Sequence, residues 1–417
     1  MEELMYYVWQ QRLFRSIETI DGLPVDIIHP GLRNHLAGPD FFNAKVRYDG
    51  IIWAGNVEMH VKASDWFRHH HHENQIYDSV VLHVVLEADA QVYQKDGSEL
   101  KTVVMHIPDD VLKRYYSLCS PTANHDTAVP LLPGQTPAYS GISCCPRIKE
   151  IPDIILEDWI SALSTQRLAV KKNRAKLLID EKKKSWDECF YIILLRSLGT
   201  GTNSDAMERL ARSLPYSCLL HHRDDLLQIR ALLLGQAGLI ADNMSDAKAL
   251  TQEYNFLRNK FSLTPLPASA WKMSRFRPNA APHLRLEAFA AIIYAHPNLF
   301  SQTLEAHTLD KLEKMFIVKG IGKQTAQVLI INAIIPTLLQ YFEWQDNEER
   351  YTQTVDLLDA IPPEHNHYIK KWEESGIPVH SAYDSQALLQ LYQNYCQPHK
   401  CLNCRIGCWL IKNPPKN

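Results

Sequence analysis

Asp40, Glu58, His60 and Lys62 are the residues whose types and spacing point most directly to chemistry. In Asn56-Val57-Glu58-Met59-His60-Val61-Lys62 the three ionisable residues alternate with apolar ones. On a β-strand they share one face while Val57, Met59 and Val61 take the other. Asp49-Gly50 is a two-residue hairpin signal between strands expected at 44–48 and 51–61. Pairing across that turn sets Phe41 opposite Glu58 and draws Asp40 toward it. Two apposed carboxylates favour a divalent cation between them, and carboxylate oxygens suit Mg2+ or Mn2+. Such an ion activates a water and offsets charge on a phosphoryl oxygen. Asp40 and Glu58 are the expected metal ligands, with His60 as ligand or proton acceptor and Lys62 stabilising charge.

Two further groups carry metal-ligand chemistry. His69 to His72 stand between Asp65 and Glu73, and consecutive residues cannot all point inward, so His69 and His71 are the pair expected to share a site. His83, within the apolar strand 80–86, is a candidate third ligand facing the cleft of Glu58, with a satisfied core histidine as the alternative. Near the C-terminus Cys396, Cys401, Cys404 and Cys408 fall within thirteen residues, and Cys401-x-x-Cys404 is a knuckle. Zinc takes four such ligands, an iron–sulfur cluster takes cysteines alone, and the distant Cys144-Cys145 could complete either. Buried reduced thiols are the plain alternative.

Basic residues give a softer signal. Lys171, Lys172 and Arg174 lie on a predicted helix, Arg275 and Arg277 flank Phe276, and Lys323 follows Gly320-Ile321-Gly322. Phosphate contacts of DNA or RNA come from such groups, although lysine-rich helix faces are most often solvated surface.

The elements that must hold these residues make an α+β protein. A helix at 2–14, the hairpin, and strands at 80–86 and 100–107 form an N-terminal α/β sheet domain over 1–120. A Pro-, Ser- and Thr-rich linker or arm follows at 121–152, then a mostly α-helical domain at 153–340 and a segment at 341–417 with the cysteine-containing tail. With 417 residues, 46% hydrophobic and 22% charged, the chain has the composition of a folded globular protein of two or three domains. A net charge of -3 provides no global field for polyanions, so a nucleic-acid partner needs a local basic face. No unbroken apolar run reaches the length of a membrane span, the N-terminus lacks the basic head of a signal peptide, and nine cysteines read as thiols or metal ligands. The expectation is a cytoplasmic protein without a membrane partner.

The N-terminal constellation resembles the PD-(D/E)xK nuclease superfamily, in which a helix precedes a hairpin with an acidic residue on its first strand and acidic-x-Lys on its second. Pro39-Asp40 and Glu58-x-His60 occupy the matching places, with His60 where that superfamily has Lys and Lys62 two residues on. The resemblance implies a restriction-endonuclease-like sheet and a metal-dependent nuclease or phosphodiesterase. The alternatives are a silent nucleic-acid-binding or scaffolding protein on that fold, or a zinc-dependent hydrolase using the histidines. The segment 318–326 is similar in part to the turn of helix–hairpin–helix DNA glycosylases, without their catalytic Asp downstream. Across nearly the full length the chain resembles a bacterial family, domain of unknown function 2851. That resemblance rests on Met5-Tyr6-Tyr7-Val8-Trp9, Gly38-Pro39-Asp40-Phe41, Gly55-Asn56-Val57-Glu58, Ser64-Asp65-Trp66, Leu82-His83-Val84-Val85 and Ala382-Tyr383-Asp384-Ser385-Gln386-Ala387.

Overall fold

The computed structural model describes residues 1–119, 142–182, 185–273 and 281–415. Most of the expected linker at 121–152 lies outside the described residues, as do Arg275 and Arg277. The protein is mixed α/β, a sheet region followed by a mostly helical one. Its contacts divide it into two compact units: Met1–Trp159 with Glu374–Ile377 and Leu391–Asn417, and Ile160–Glu373 with Pro378–Gln390. The boundary expected at residue 341 therefore gives way, because the cysteine tail belongs with the N-terminal unit. The cause is the amphipathic helix Arg405–Lys412, which buries Ile406, Leu410 and Ile411. Its backbone also accepts from the N-terminal unit: Tyr7 donates to the Cys408 carbonyl at 2.6 Å and Arg114 to that of Ile411 at 2.7 Å.

The first unit opens with α1 (Glu2–Gln11), which buries Leu4, Met5, Tyr7, Val8 and Trp9 and stops where Arg12 turns left-handed. Seven strands then form one sheet: β1 (Ile17–Thr19), β2 (Asp26–His29), β3 (Leu32–Arg33), β4 (Phe41–Tyr48), β5 (Ile51–Lys62), β6 (Val80–Glu87) and β7 (Thr102–Met105). Their order is β1-β7-β6-β5-β4-β2, with β3 also paired to β4. Asp49 and Gly50 both have positive φ, 50° and 72°, as the tight turn of the β4–β5 hairpin demands. β5 runs parallel to β6, and β6 to β7. A parallel pair needs a crossover. Between β5 and β6 it is made of α2 (Asp65–Arg68) and two 3-10 turns, His71–Glu73 and Gln75–Tyr77. Trp66 anchors it, packing with Ala63, Val80, Val85, Val92 and Leu100. After β7 comes α3 (Asp109–Cys119), against which the helix Arg405–Lys412 packs.

The second unit is helical around a continuous apolar core that includes Phe190, Leu194, Leu232, Phe289, Phe316 and Leu339. One helix, Lys323–Trp344, is long and apolar enough to cross a membrane by length and composition, although polar residues interrupt it and so no unbroken apolar run marks it. Of its apolar window 67% is buried within the protein, as in the core helix of a folded domain. Its middle, Ile330–Ile334, widens into a π turn just ahead of Pro336, which has no N–H to give to a regular α-helical ladder.

Candidate metal centre

Strand register builds the floor of the centre. Glu58 and His60 project from one face of β5, and Glu58 pairs with His83 across the parallel β5–β6 ladder. All three are buried, at 5%, 2% and 0% exposure, because the crossover covers this face. Asp40 arrives by a device that the simple hairpin rule does not contain. Tyr48 pairs with Ile51 and Ala44 with Gly55, but Phe41 pairs with Val57 rather than Glu58, so the register slips between Phe41 and Ala44. The slip is a bulge in which Asn43 adopts φ 57°. It carries Asp40 one position further, so that its backbone N–H donates to Glu58 Oε2 at 3.0 Å.

The crossover supplies the roof. His70 is left-handed, φ 58°, and this one reversal lets the chain present both His69 and His71 to the strand face. His60 Nε2 lies 3.2 Å from His69 Nδ1. Glu58 Oε1 lies 3.2 Å from His71 Nε2 and 3.6 Å from His60 Nε2. The donor atoms of His60, His69 and His71 all fall within 4.8 Å of one another, the one such group among the described residues. Ligands bound 2.0–2.1 Å from a tetrahedral zinc stand roughly 3.3–3.4 Å apart. The three short separations here bracket that edge length. Aromatic rings border the group: the His71 ring stacks 3.8 Å from that of Tyr77, and Trp66 flanks both His71 and His83. The His71 side chain keeps 10% exposure and His69 is exposed, so the centre opens to solvent on the crossover side.

His83 is not one of the convergent donors. Its Nε2 is hydrogen-bonded to His60 Nδ1 at 2.9 Å, which turns His60 Nε2 toward the other two histidines. Burial, followed by the neighbouring imidazoles, pulls His60 down to about 2 and His83 to about 3, so both rings are neutral ligand-type imidazoles at ordinary pH. Burial and then the Asp40 charge push Glu58 up to about 9. A cation among these groups favours the charged carboxylate and the neutral rings together.

Two expected participants stand elsewhere. Asp40 has both carboxylate oxygens engaged: Oδ1 with Arg33 at 2.8 Å, and Oδ2 accepting the Met59 N–H at 3.0 Å. It orients the strand and Glu58 rather than offering a free pair of oxygens to a cation. Arg33 is itself held 3.5 Å over the Tyr6 ring, a partnership that no spacing rule suggests. Lys62 belongs to the Glu58 face by alternation, yet β5 ends there beyond the crossover. Its side chain is 49% exposed and pairs with Glu87 at 3.2 Å.

The tail cysteines Cys396, Cys401, Cys404 and Cys408 belong to the first unit with Cys119, Cys144 and Cys145, and Cys401 Sγ donates to the Leu118 carbonyl at 3.6 Å. The basic residues are mostly spoken for. Lys171 donates to Gln386 at 2.6 Å, and burial with the Arg167 charge pulls its ammonium down to about 7. Lys172 pairs with Glu343 at 2.6 Å and Lys323 with Glu313 at 3.3 Å, leaving Arg174 exposed. The Gly320 turn closes on its own helices: Val318 bridges Ile321, and Arg285 donates to the Gly320 carbonyl at 3.0 Å.

No curated protein and no solved structure matches the chain. A family match runs over residues 2–320 and 317–367, taking in the whole histidine centre and stopping short of the tail cysteines. The chain belongs to that family, described as protein of unknown function, DUF2851.

Proposed function

We propose that the protein is a metal-dependent hydrolase in which His60, His69 and His71 hold a zinc ion and Glu58 takes the proton of the water that the ion activates. The observation that carries this reading is the convergence of these three imidazoles within 4.8 Å, His60 and His69 at 3.2 Å, with the Glu58 carboxylate beside His71 and His60 in one partly open cleft. Imidazole nitrogens suit zinc better than Mg2+ or Mn2+, and three protein ligands with an open position are the mark of a catalytic zinc. Water bound there ionises near neutral pH. His83 fixes the tautomer and direction of His60. Asp40, neutralised by Arg33, holds Glu58 in line through its backbone N–H.

A phosphodiester is the substrate class that this reading favours. Support comes from the chain order of helix, hairpin with Asp40 and Glu58, and following parallel strand, which is the order in the PD-(D/E)xK resemblance. A second reading has its own observation. Because Glu58 Oε1 stands as close to the histidines as a fourth ligand would, the ion could be closed off by protein and purely structural.

One experiment separates the two. Zinc content and hydrolysis of a phosphodiester panel, single- and double-stranded DNA, RNA and a nitrophenyl diester, are measured for wild type and Glu58→Gln. The hydrolase reading expects zinc near one per chain in both, with turnover present only in wild type. Loss of zinc in Glu58→Gln together with an inert wild type establishes the structural reading. Absence of zinc from protein purified without chelator removes both.

A further inference from the structure

Tyr77 stands against the histidine centre with its polar end unused. The turn that carries it, Gln75–Tyr77, is pinned from two sides. The Asn74 side chain accepts the Ile76 N–H at 3.1 Å, and the Asn74 carbonyl accepts that of Tyr77 at 3.0 Å. Gly38, at φ 111°, lets the loop before β4 close on the turn, since a Cβ there would stand 3.2 Å from the Ile76 side chain.

The ring is held as firmly. It stacks on His71 with centroids 3.8 Å apart and planes 25° from parallel, and it meets Trp66 edge-on at 5.9 Å. Trp66 is anchored in turn, its indole N–H donating to the Tyr93 carbonyl at 3.1 Å. Centroids this close leave little lateral offset, so the phenol covers the imidazole instead of grazing its rim. That imidazole is the one whose Nε2 lies 3.2 Å from Glu58 Oε1. The phenol hydroxyl has no hydrogen-bond partner among the described residues, and the residue is partly exposed. A tyrosine carries its proton at neutral pH in any case, and burial followed by the Glu58 and Asp40 charges pushes this one further up, to about 12.

Nearby cations are engaged elsewhere: Lys62 with Glu87, Arg33 with Asp40 and Arg68 with Asp65. A phosphodiester under attack carries its charge on the non-bridging oxygens, and a neutral donor fixed in place stabilises that charge without repelling the zinc. We infer that the Tyr77 hydroxyl donates a hydrogen bond to a non-bridging oxygen of a phosphodiester at the histidine centre, stabilising the transition state. This role rests on the hydrolase reading. In the step concerned, the water oxygen bonds to phosphorus as the bond to the leaving oxygen breaks. The water's proton passes to Glu58 and from there to the leaving oxygen, while Tyr77 keeps its own.

The test compares zinc-loaded wild type with Tyr77→Phe, which keeps the stacked ring and removes only the hydroxyl. Zinc content, kcat and KM on a nitrophenyl diester, and calorimetric affinity for inorganic phosphate are measured for both. Tyr77→Phe is expected to keep zinc and KM near wild type while kcat falls about 100-fold, the usual loss for one such donor. Its phosphate affinity should fall about 10-fold, as for a lost hydrogen bond to a charged group. Unchanged kcat in Tyr77→Phe overturns the role and leaves the ring as packing. Zinc and kcat lost in parallel also overturn it, because the residue then acts through His71. If wild type holds zinc but is inert, the hydrolase reading fails and the phosphate titration decides. Weaker binding by Tyr77→Phe then keeps the hydroxyl as an anion donor beside the ion, and equal affinity removes it. Protein that holds no zinc overturns both.

Discussion

The histidine centre and the cysteine group lie in one folding unit, yet they are assembled in opposite ways. Every proposed zinc ligand and its supporting His83 come from residues 58–83, one strand, its crossover and the next strand. The cysteines come from the end of α3, the turn at 144–145 and a tail some 250 residues further along the chain. The first site is set by local register, so the backbone that makes the sheet also makes the site. The second exists only when distant segments have docked. A metal bound to the first adds chemistry to a formed scaffold.

The largest effect expected from this contrast follows His60→Ala with His71→Ala. Zinc binding and hydrolysis should be abolished while the tail keeps its wild-type protection from proteolysis, as elemental analysis and limited proteolysis will show. Loss of the tail's protection as well would mean that the histidine centre supports the docking of the tail. Next comes Trp66→Ala, which empties the anchor of the crossover. A buried Trp replaced by Ala costs about 3–5 kcal/mol. Chemical denaturation should show that loss, with zinc affinity falling and the tail's protection from proteolysis unchanged.

His83→Ala leaves every proposed zinc ligand in place and removes only the partner of His60 Nδ1. Loss of such a partner weakens metal affinity by about 10–100-fold, which competition with a zinc chelator measures. Asn43→Val forces a β-branched residue into a left-handed position, at a cost of about 1–2 kcal/mol. It should therefore shift the denaturation midpoint and disturb the Asp40–Glu58 bond, seen as lost turnover with zinc retained. Smallest is Lys62→Ala. An exposed ion pair contributes about 0–1 kcal/mol, so stability and turnover should both stay close to wild type. A large fall in activity would return Lys62 to the chemistry.

The same contrast explains what could be read from the amino-acid order. Alternation in 56–62 placed Glu58 and His60 on one buried face, and Asp49-Gly50 marked the turn, because both depend on neighbours along the chain. The bulge at Asn43 was not visible, since Asn tolerates a left-handed φ without requiring it. The same is true of His70, whose reversal brings His69 and His71 together. Lys62 obeys the alternation and still leaves the cleft, because alternation does not say where the covering crossover stops. Arg33 gave no signal for its hold on Asp40, a pairing fixed by the third strand and the Tyr6 ring. The tail's place with the N-terminal sheet depends on burial across hundreds of residues, which no local pattern encodes.

That return of the tail has a consequence for synthesis. The second unit is built almost wholly from one uninterrupted stretch, Ile160–Glu373, and the rest of it, Pro378–Gln390, is made before Leu391. It can fold during translation, as contiguous domains generally do. The first unit must wait: its sheet can form early, but α3 and Tyr7 meet the helix Arg405–Lys412 only when the chain is nearly complete. A chain truncated after Gln390 should thus contain the whole second unit while its first unit lacks the tail that meets α3 and Tyr7.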